Sequence, residues 1–358
     1  HAEVPRRGGG AHHEAVRAPD EGGEAEGDGG GGGEELHAKS RPRRDRGRGF
    51  AALVWGADRF VMGAAATARN LGVSPLIIGL TIVGFGTSAP EMLVSSVAAW
   101  EGAANLSVGN AIGSNITNVA LVLGVASLVS PLQVPQHVLS RELPTMIGVM
   151  LFAGFLLFDR TLDRVDGTIL LTGMVLMVAL VVRDGLRKRD APDEGDEIPS
   201  GMSTGVALLW LLVGLAVLLV SSRGLVWGAT TVARHFGVSE LVIGLTIVAF
   251  GTSLPELAAT VVAAKKNEHE IAVGNVIGSN LFNTLGVLGL PGIIRPGPVE
   301  ESVLTRDFPV MIGVGVLLFV LPRMLRPYQR ITRWEGGVLL AVFVGWLSWI
   351  YLETTGVV

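Results

Sequence analysis

The sequence predicts an all-α polytopic membrane protein of ten transmembrane helices, arranged as two inverted five-helix repeats. Three observations carry that expectation. The 358 residues are 49% hydrophobic and 17% charged, with a mean hydropathy of +0.50, and the apolar runs reach about 20 residues, the length that crosses a hydrocarbon core. The chain also repeats itself at a fixed offset: Glu256 minus Glu91 is 165, and the same subtraction relates Gly237 to Gly72, Gly274 to Gly109 and Pro309 to Pro144. Leu76–Glu91 matches Leu241–Glu256 except at Ile77/Val242, Gly84/Ala249 and Ala89/Leu254, an identity that apolar composition alone does not produce. Finally, each repeat holds five spans, and an odd number makes the second repeat enter the membrane in the opposite sense to the first.

In chain order, residues 1–49 read as a disordered polar tail. Glu21–Gly33 is nearly all Gly, Glu and Asp, and Lys39–Arg48 is strongly basic, a composition that cannot bury a core. No apolar stretch precedes a small-residue cleavage site between His1 and Ser40, so no cleavable signal peptide is read. At the repeat offset, residues 36–49 should resemble the apolar Gly201–Gly214 and do not. A translation artefact is the preferred reading of this tail, and a native extension is the other.

The first half, 50–183, carries spans near 50–69, 75–99, 105–130, 143–158 and 166–183. After a loop at 184–202, the second half, 203–352, carries spans near 203–234, 240–264, 270–291, 307–322 and 335–352. The loop mixes Arg183, Arg187, Lys188 and Arg189 with Asp193, Glu194, Asp196 and Glu197 and is too short for a regulatory domain. Lys and Arg are denser in the connections on its face of the membrane than on the opposite face. The positive-inside rule therefore predicts a cytoplasmic loop with both termini outside, in a multi-pass protein of a prokaryotic inner membrane.

Zero cysteines exclude disulfides and thiolate metal sites. The net charge of −4 averages loops and tail and says little about partners. We expect no cofactor, no nucleic acid and no obligate protein partner, with the bilayer as the chief contact.

The chemistry lies in two duplicated elements. Phe85-Gly-Thr-Ser-Ala-Pro-Glu91 returns as Phe250-Gly-Thr-Ser-Leu-Pro-Glu256. A carboxylate at mid-membrane costs at least about 2.5–3.5 kcal/mol, so an intramembrane Glu points to function. Pro90 has no N–H for the carbonyl of Gly86 and should break its helix. Carbonyls of Gly86 and Thr87, hydroxyls of Thr87 and Ser88 and the Glu91 carboxylate would then face one locality, with Gly251, Thr252, Ser253 and Glu256 as counterparts. An all-oxygen cage with two negative charges suits hard cations of the calcium type, whereas zinc prefers His and Cys. The alternative for each Glu is a protonated structural group bonded to backbone.

The second element is Gly109-Asn-Ala-Ile-Gly-Ser-Asn-Ile-Thr-Asn118, repeated as Gly274-Asn-Val-Ile-Gly-Ser-Asn-Leu-Phe-Asn283. Asn110, Ser114 and Asn118 share one helical face, as do Asn275, Ser279 and Asn283. Their neutral oxygens could complete the coordination of monovalent ions. Equally, Gly109/Gly113 and Gly274/Gly278 could be small-residue helix contacts, with the Asn side chains bonding between helices.

These paired motifs, Gly84-Phe-Gly-Thr-Ser-Ala-Pro-Glu-Met92 with Gly109–Asn118 and Ala249–Leu257 with Gly274–Asn283, resemble the two alpha repeats of the sodium/calcium exchanger family, in the cation/calcium antiporter superfamily. The resemblance covers about Phe50–Tyr351. It implies sodium/calcium countertransport by alternating access through four sites in a diamond at the midplane. By motif position it implies that Glu91 and Glu256 bind calcium with the carbonyls of Thr87 and Thr252. It further implies sodium sites from Ser88, Ser114, Ser253 and Ser279 with the same Glu and Thr residues, and Asn118 and Asn283 bordering the central site. The first and sixth helices would slide as a pair across the rest. Potassium-dependent relatives carry Asp where this chain has Asn283, so charge balance here would rest on Glu91 and Glu256 alone. Proton/calcium antiport, with Glu protonation replacing sodium, stays open. So do a membrane-embedded hydrolase using the Glu pair as acid and base, which lacks a recognisable nucleophile and base, and a non-transporting scaffold.

Overall fold

The computed structural model describes residues 41–187, 201–237, 249–324 and 329–354. By its contacts the chain divides at Arg43/Arg44, and the body beginning at Arg44 is the unit described here. Its helices in order are α1 (Arg41–Leu71), α2 (Pro75–Trp100), α3 (Ala104–Val129), α4 (Val138–Asp159), α5 (Arg164–Arg187), α6 (Thr204–His235), α7 (Ala249–Thr252), α8 (Leu254–Lys265), α9 (His269–Ile294), α10 (Val303–Met324) and α11 (Arg333–Thr354). Among the described residues, eight helices are long and apolar enough to cross a membrane. The expected span at 240–264 falls partly outside the described residues, as does most of the loop at 184–202.

Two expectations need correction. The helix α1 begins at Arg41, so residues 41–49 continue a helix where a disordered tail was expected; Arg is a good helix former, and Pro42 sits in the first turn, where its missing N–H costs little. The second concerns Pro90, which lies inside an unbroken helical stretch, Gly84–Trp100. One lost ladder bond is absorbed where neighbouring helices hold the segment, and α2 instead deviates upstream in a π-helical turn at Gly79–Val83. In the second half the break does occur: α7 ends at Thr252, Ser253 is non-helical, and α8 starts with Pro255 in its first turn.

The duplication recurs in the backbone. Positive φ at Gly72 and Gly102 is matched at their repeat equivalents, Gly237 and Asn267. The π-helical turn Val138–Glu142 that opens α4 is matched by Val303–Asp307 opening α10 at the same offset, and Thr117–Val122 in α3 likewise overlaps Asn283–Val287 in α9. Past α10 the offset becomes 169. Asp163–Asp166 and Thr332–Glu335 share one half of a capping box, the acidic side chain accepting from Asp163 N at 3.0 Å and from Thr332 N at 2.5 Å. Arg141 pairs with Asp184, and Arg306 with Glu353 at 2.5 Å, fastening α4 to α5 and α10 to α11.

Burial separates centre from rim. The apolar window of α9 is 100% buried and that of α3 78%, against 17% for α5 and 22% for α11, so α9 is enclosed while α5 and α11 present apolar side chains outward, as a lipid-facing surface does. α9 crosses α2 at glycines: a Cβ on Gly278 would stand 2.4 Å from the Leu80 carbonyl oxygen, and one on Gly274 2.9 Å from that of Leu76. The packing role anticipated for Gly274 and Gly278 therefore holds. For Gly109 the repeat-equivalent neighbours lie outside the described residues. α1 and α6 also meet through glycine, a Cβ on Gly63 falling 2.4 Å from Leu211 N. Two short antiparallel pairings join the halves, β1 (Leu132–Gln133) with β4 (Arg330–Ile331) and β2 (Thr161–Leu162) with β3 (Gly297–Pro298).

Candidate cation-binding site

Glu91 on α2 and Glu256 on α8 are each 1% exposed. Glu91 Oε2 and both carboxylate oxygens of Glu256 are buried without a hydrogen-bond partner among the described residues, and the helices that carry the two residues touch. The hydroxyls of Ser88 and Ser253, Asn118 Oδ1 and both side-chain polar atoms of Asn283 are buried without a partner as well. Buried polar atoms are satisfied in the great majority of cases, and nine of the thirteen partnerless ones among the described residues fall in the duplicated motifs, the others being on Arg59, Thr67, Thr230 and His269. Oxygens dominate the nine, and oxygens are what a hard cation takes. No group of three His, Cys, Asp or Glu forms among the described residues; the formal charge of the site is that of two carboxylates.

The two repeats touch directly at Thr87. Its hydroxyl lies 3.1 Å from the Val83 carbonyl oxygen, 3.1 Å from Asn275 Oδ1 and 3.2 Å from Ser279 Oγ. Its one O–H is shared between the two acceptors, the Val83 carbonyl and Asn275 Oδ1, and Ser279 Oγ can donate to Thr87 Oγ1 or to the Gly84 carbonyl at 3.4 Å. This hydroxyl helps hold α2 to α9 at the meeting of the two repeats. Thr252 occupies the equivalent place at the end of α7.

Asn110 and Asn275 act as braces. Asn110 Nδ2 donates to the Glu91 carbonyl oxygen at 3.4 Å and to Ser95 Oγ at 3.0 Å; Asn275 Nδ2 donates to the Glu256 carbonyl oxygen at 3.4 Å and to Thr260 Oγ1 at 2.9 Å. Each fixes the backbone of its own repeat's glutamate, the helix-bonding alternative raised for them from sequence. Ser114 is buried on α3, four residues before Asn118. Asn118 and Asn283 lie in the π-helical turns of α3 and α9. The turn holding Asn118 packs on α8, the helix of Glu256, and the turn holding Asn283 packs on α2, the helix of Glu91. π-bulges occur often at functional sites because the extra residue re-aims side chains.

Three contributors escaped the sequence reading. Asn115 and Asn280 are buried at 1% and 0% exposure, with Asn115 Nδ2 donating to Thr284 Oγ1 at 2.8 Å and Asn118 Nδ2 to Asn280 Oδ1 at 3.3 Å. Their signal was visible as the repeated Gly-Ser-Asn triplet. Ser222 on α6 donates to the Gly251 carbonyl oxygen at 3.2 Å, the oxygen that Pro255 deprives of its helical donor. Its counterpart at the 165 offset is Ala57, so no repeat could have exposed it.

Comparison with known proteins agrees in direction. The profile of the family described as sodium/calcium exchanger protein matches residues 48–183 and 206–352. The chain is 47% identical to "Putative antiporter CaxA" of Alkalimonas amylolytica over 83% of its length and 95% of that protein's. It is 41% identical to the inner membrane protein YrbG of Escherichia coli (strain K12), covering 85% of this chain and 94% of the relative. A solved structure of the sodium-calcium exchanger NCX_Mj superimposes with a TM-score of 0.73 at 33% identity, over 85% of this chain and 96% of that one.

Proposed function

The chain belongs to the sodium/calcium exchanger protein family, and from that premise we propose that it exchanges sodium for calcium by alternating access. It is a membrane-embedded cation/calcium antiporter and not an enzyme. The observation that carries the finer reading is the pair Glu91 and Glu256, buried with partnerless oxygens on two helices that touch and accompanied on those segments by the partnerless hydroxyls of Ser88 and Ser253.

Two carboxylates balance one divalent ion or two monovalent ions. The pair left empty carries two uncompensated charges, whose desolvation costs several kcal/mol per ion; loaded, it is close to neutral. That difference lets the loaded carrier reorient and holds back the empty one, which is the requirement for obligatory exchange. In this reading calcium is held by Glu91, Glu256 and the carbonyls of Thr87 and Thr252. Sodium takes the same groups with Ser88, Ser114, Ser253 and Ser279, and Asn118 and Asn283 border the centre. In this reading ten helices form two inverted halves, the excess of Lys and Arg on the side of the central loop supports a cytoplasmic loop, and the likeness to an inner membrane protein favours that membrane. The close glycine contact of α1 with α6 supports their moving as one body.

The test is calcium uptake into proteoliposomes under an outward sodium gradient, or under a pH gradient of equal size. Uptake driven by sodium and indifferent to the pH gradient is expected. Uptake that follows pH and ignores sodium overturns sodium coupling in favour of proton exchange.

A further inference from the structure

A carboxamide presents oxygen at one end and NH2 at the other, and only the oxygen can ligate a cation; which end points where is decided by the neighbours. For Asn118 the neighbours form a chain that begins at Met146. Its thioether sulfur accepts hydrogen bonds and cannot donate them. Asn280 Nδ2 lies 3.6 Å from that sulfur, so the NH2 end of Asn280 is directed there and its Oδ1 is the end left to face Asn118. Asn118 answers with its own Nδ2, at 3.3 Å. The remaining end of Asn118, Oδ1, is buried and without a partner, in the turn that packs against the helix of Glu256.

The repeat-equivalent chain is broken. Asn115 Nδ2 approaches Met311 Sδ at 3.4 Å, Met311 and Asn115 being the repeat equivalents of Met146 and Asn280. The same Nδ2 also reaches Thr284 Oγ1 at 2.8 Å, where the first half has Val119. Asn115 Oδ1 and both side-chain polar atoms of Asn283 have no partner. One central amide is therefore held in a single orientation and the other is not.

We propose that Asn280, itself oriented by Met146, is a positioning residue that turns the Asn118 oxygen toward the transported cation, while Asn283 is the adaptable amide that serves ions of different size and charge. This rests on the reading of the site as a cation site. It makes the two halves functionally unequal at positions where their sequences are alike.

The experiment measures initial calcium flux against calcium concentration in sodium-loaded proteoliposomes for Asn280→Ala, Asn118→Asp and the double variant. Asn280→Ala is expected to raise the calcium KM about tenfold with the maximal rate changed less than about twofold, the pattern of lost binding rather than lost turnover. A carboxylate has oxygen at both ends and needs no orienting, so in the Asn118→Asp background the same change should move KM less than about twofold. An unchanged KM in Asn280→Ala, or the same multiplication of KM in both backgrounds, overturns the proposal. Should Asn280→Ala fail to insert, Met146→Leu removes the acceptor while keeping the volume: a KM rise that disappears with Asn118→Asp supports the relay, and one that persists or never occurs overturns it. Glu91→Gln, measured alongside, separates the two failures. Flux at the parental rate in that variant sinks the cation-site reading itself, whereas an inactive Glu91→Gln together with equal KM effects in both Asn118 backgrounds sinks only the role of Asn280.

Discussion

At the scale of single residues the site depends on two charges. Replacing either Glu91 or Glu256 by Gln keeps its volume and halves the charge facing a divalent ion, so each variant is expected to lose calcium flux by at least about 100-fold, some ~2.7 kcal/mol, at equal reconstitution. Flux at the parental rate in either would sink the assignment. Asn283 decides a different matter. With an amide there the site lacks a third carboxylate to hold potassium beside calcium, and sodium-driven calcium flux should be the same in potassium as in choline. Asn283→Asp would place a third like charge within an enclosed volume, where it must recruit a proton or another cation, and its flux should become sensitive to pH or potassium. A potassium requirement in the parent would show that this amide does not control potassium coupling. The candidate ligand types were legible because they are duplicated, and Asn280 carried the same signal in the repeated Gly-Ser-Asn triplet; Ser222 was not legible, since a hydrogen bond between distant helices leaves no trace in spacing.

At the scale of elements the crossing of α2 and α9 is set by absent side chains. A methyl on Gly278 would press on the Leu80 carbonyl at 2.4 Å, a backbone atom that cannot rotate away, and overpacking of this kind costs about 1–3 kcal/mol. Gly278→Ala should therefore lower the midpoint of thermal unfolding in detergent by several degrees and reduce flux. Gly313→Ala in α10, where nothing outside its own helix lies within 4 Å, should leave flux unchanged and hold or slightly raise the midpoint, because Ala is the better helix former; an equal loss in both variants would mean that the crossing distance at Gly278 is not what the methyl disturbs. Most helix positions were read closely from hydropathy; after the start of α1, the largest displacement is where α4 begins, with a similar one at α10. The sequence expectation starts at 143 and 307 and the helices at Val138 and Val303, because Arg141, Glu142, Arg306 and Asp307 are polar in composition yet helical in the π turns. The break expected at Pro90 and found only beside Pro255 shows that one proline removes one bond and the surrounding packing decides the rest.

At the scale of the whole molecule the proposed inverted arrangement makes a testable statement about sidedness. Glu101 and Lys266 are repeat equivalents and cap the corresponding ends of α2 and α8 in the two halves. The chain has no cysteine of its own, so Glu101→Cys and Lys266→Cys each create a single label site. A membrane-impermeant maleimide should reach the first from outside and the second only from the cytoplasmic side. Labelling of both from one side would exclude inversion. The internal repeat that carries this expectation stood plainly in the sequence. The pairings of β1 with β4 and β2 with β3 did not, because two-residue strands have no periodicity, and the offset of 169 in the last helix begins within a connection too polar to align by motif.

Those short pairings bear on how the molecule is made. Leu132 is registered against Ile331, a partner from the far end of the chain. At about 5–20 residues per second, a ribosome needs roughly 10–40 s to synthesise the stretch that separates them. Over much of that interval the Asn118 amide waits for Asn280 and Asn115 for Thr284, amides standing in the membrane without these acceptors, and an unsatisfied polar group there costs several kcal/mol. The first half is thus an obligate intermediate that cannot complete itself. Chains halted after Ser200 should be cleaved by added protease far faster than released full-length chains, and supplying residues 201–358 as a separate polypeptide should restore resistance. A first half that resists protease alone would mean that its polar groups find other partners while they wait.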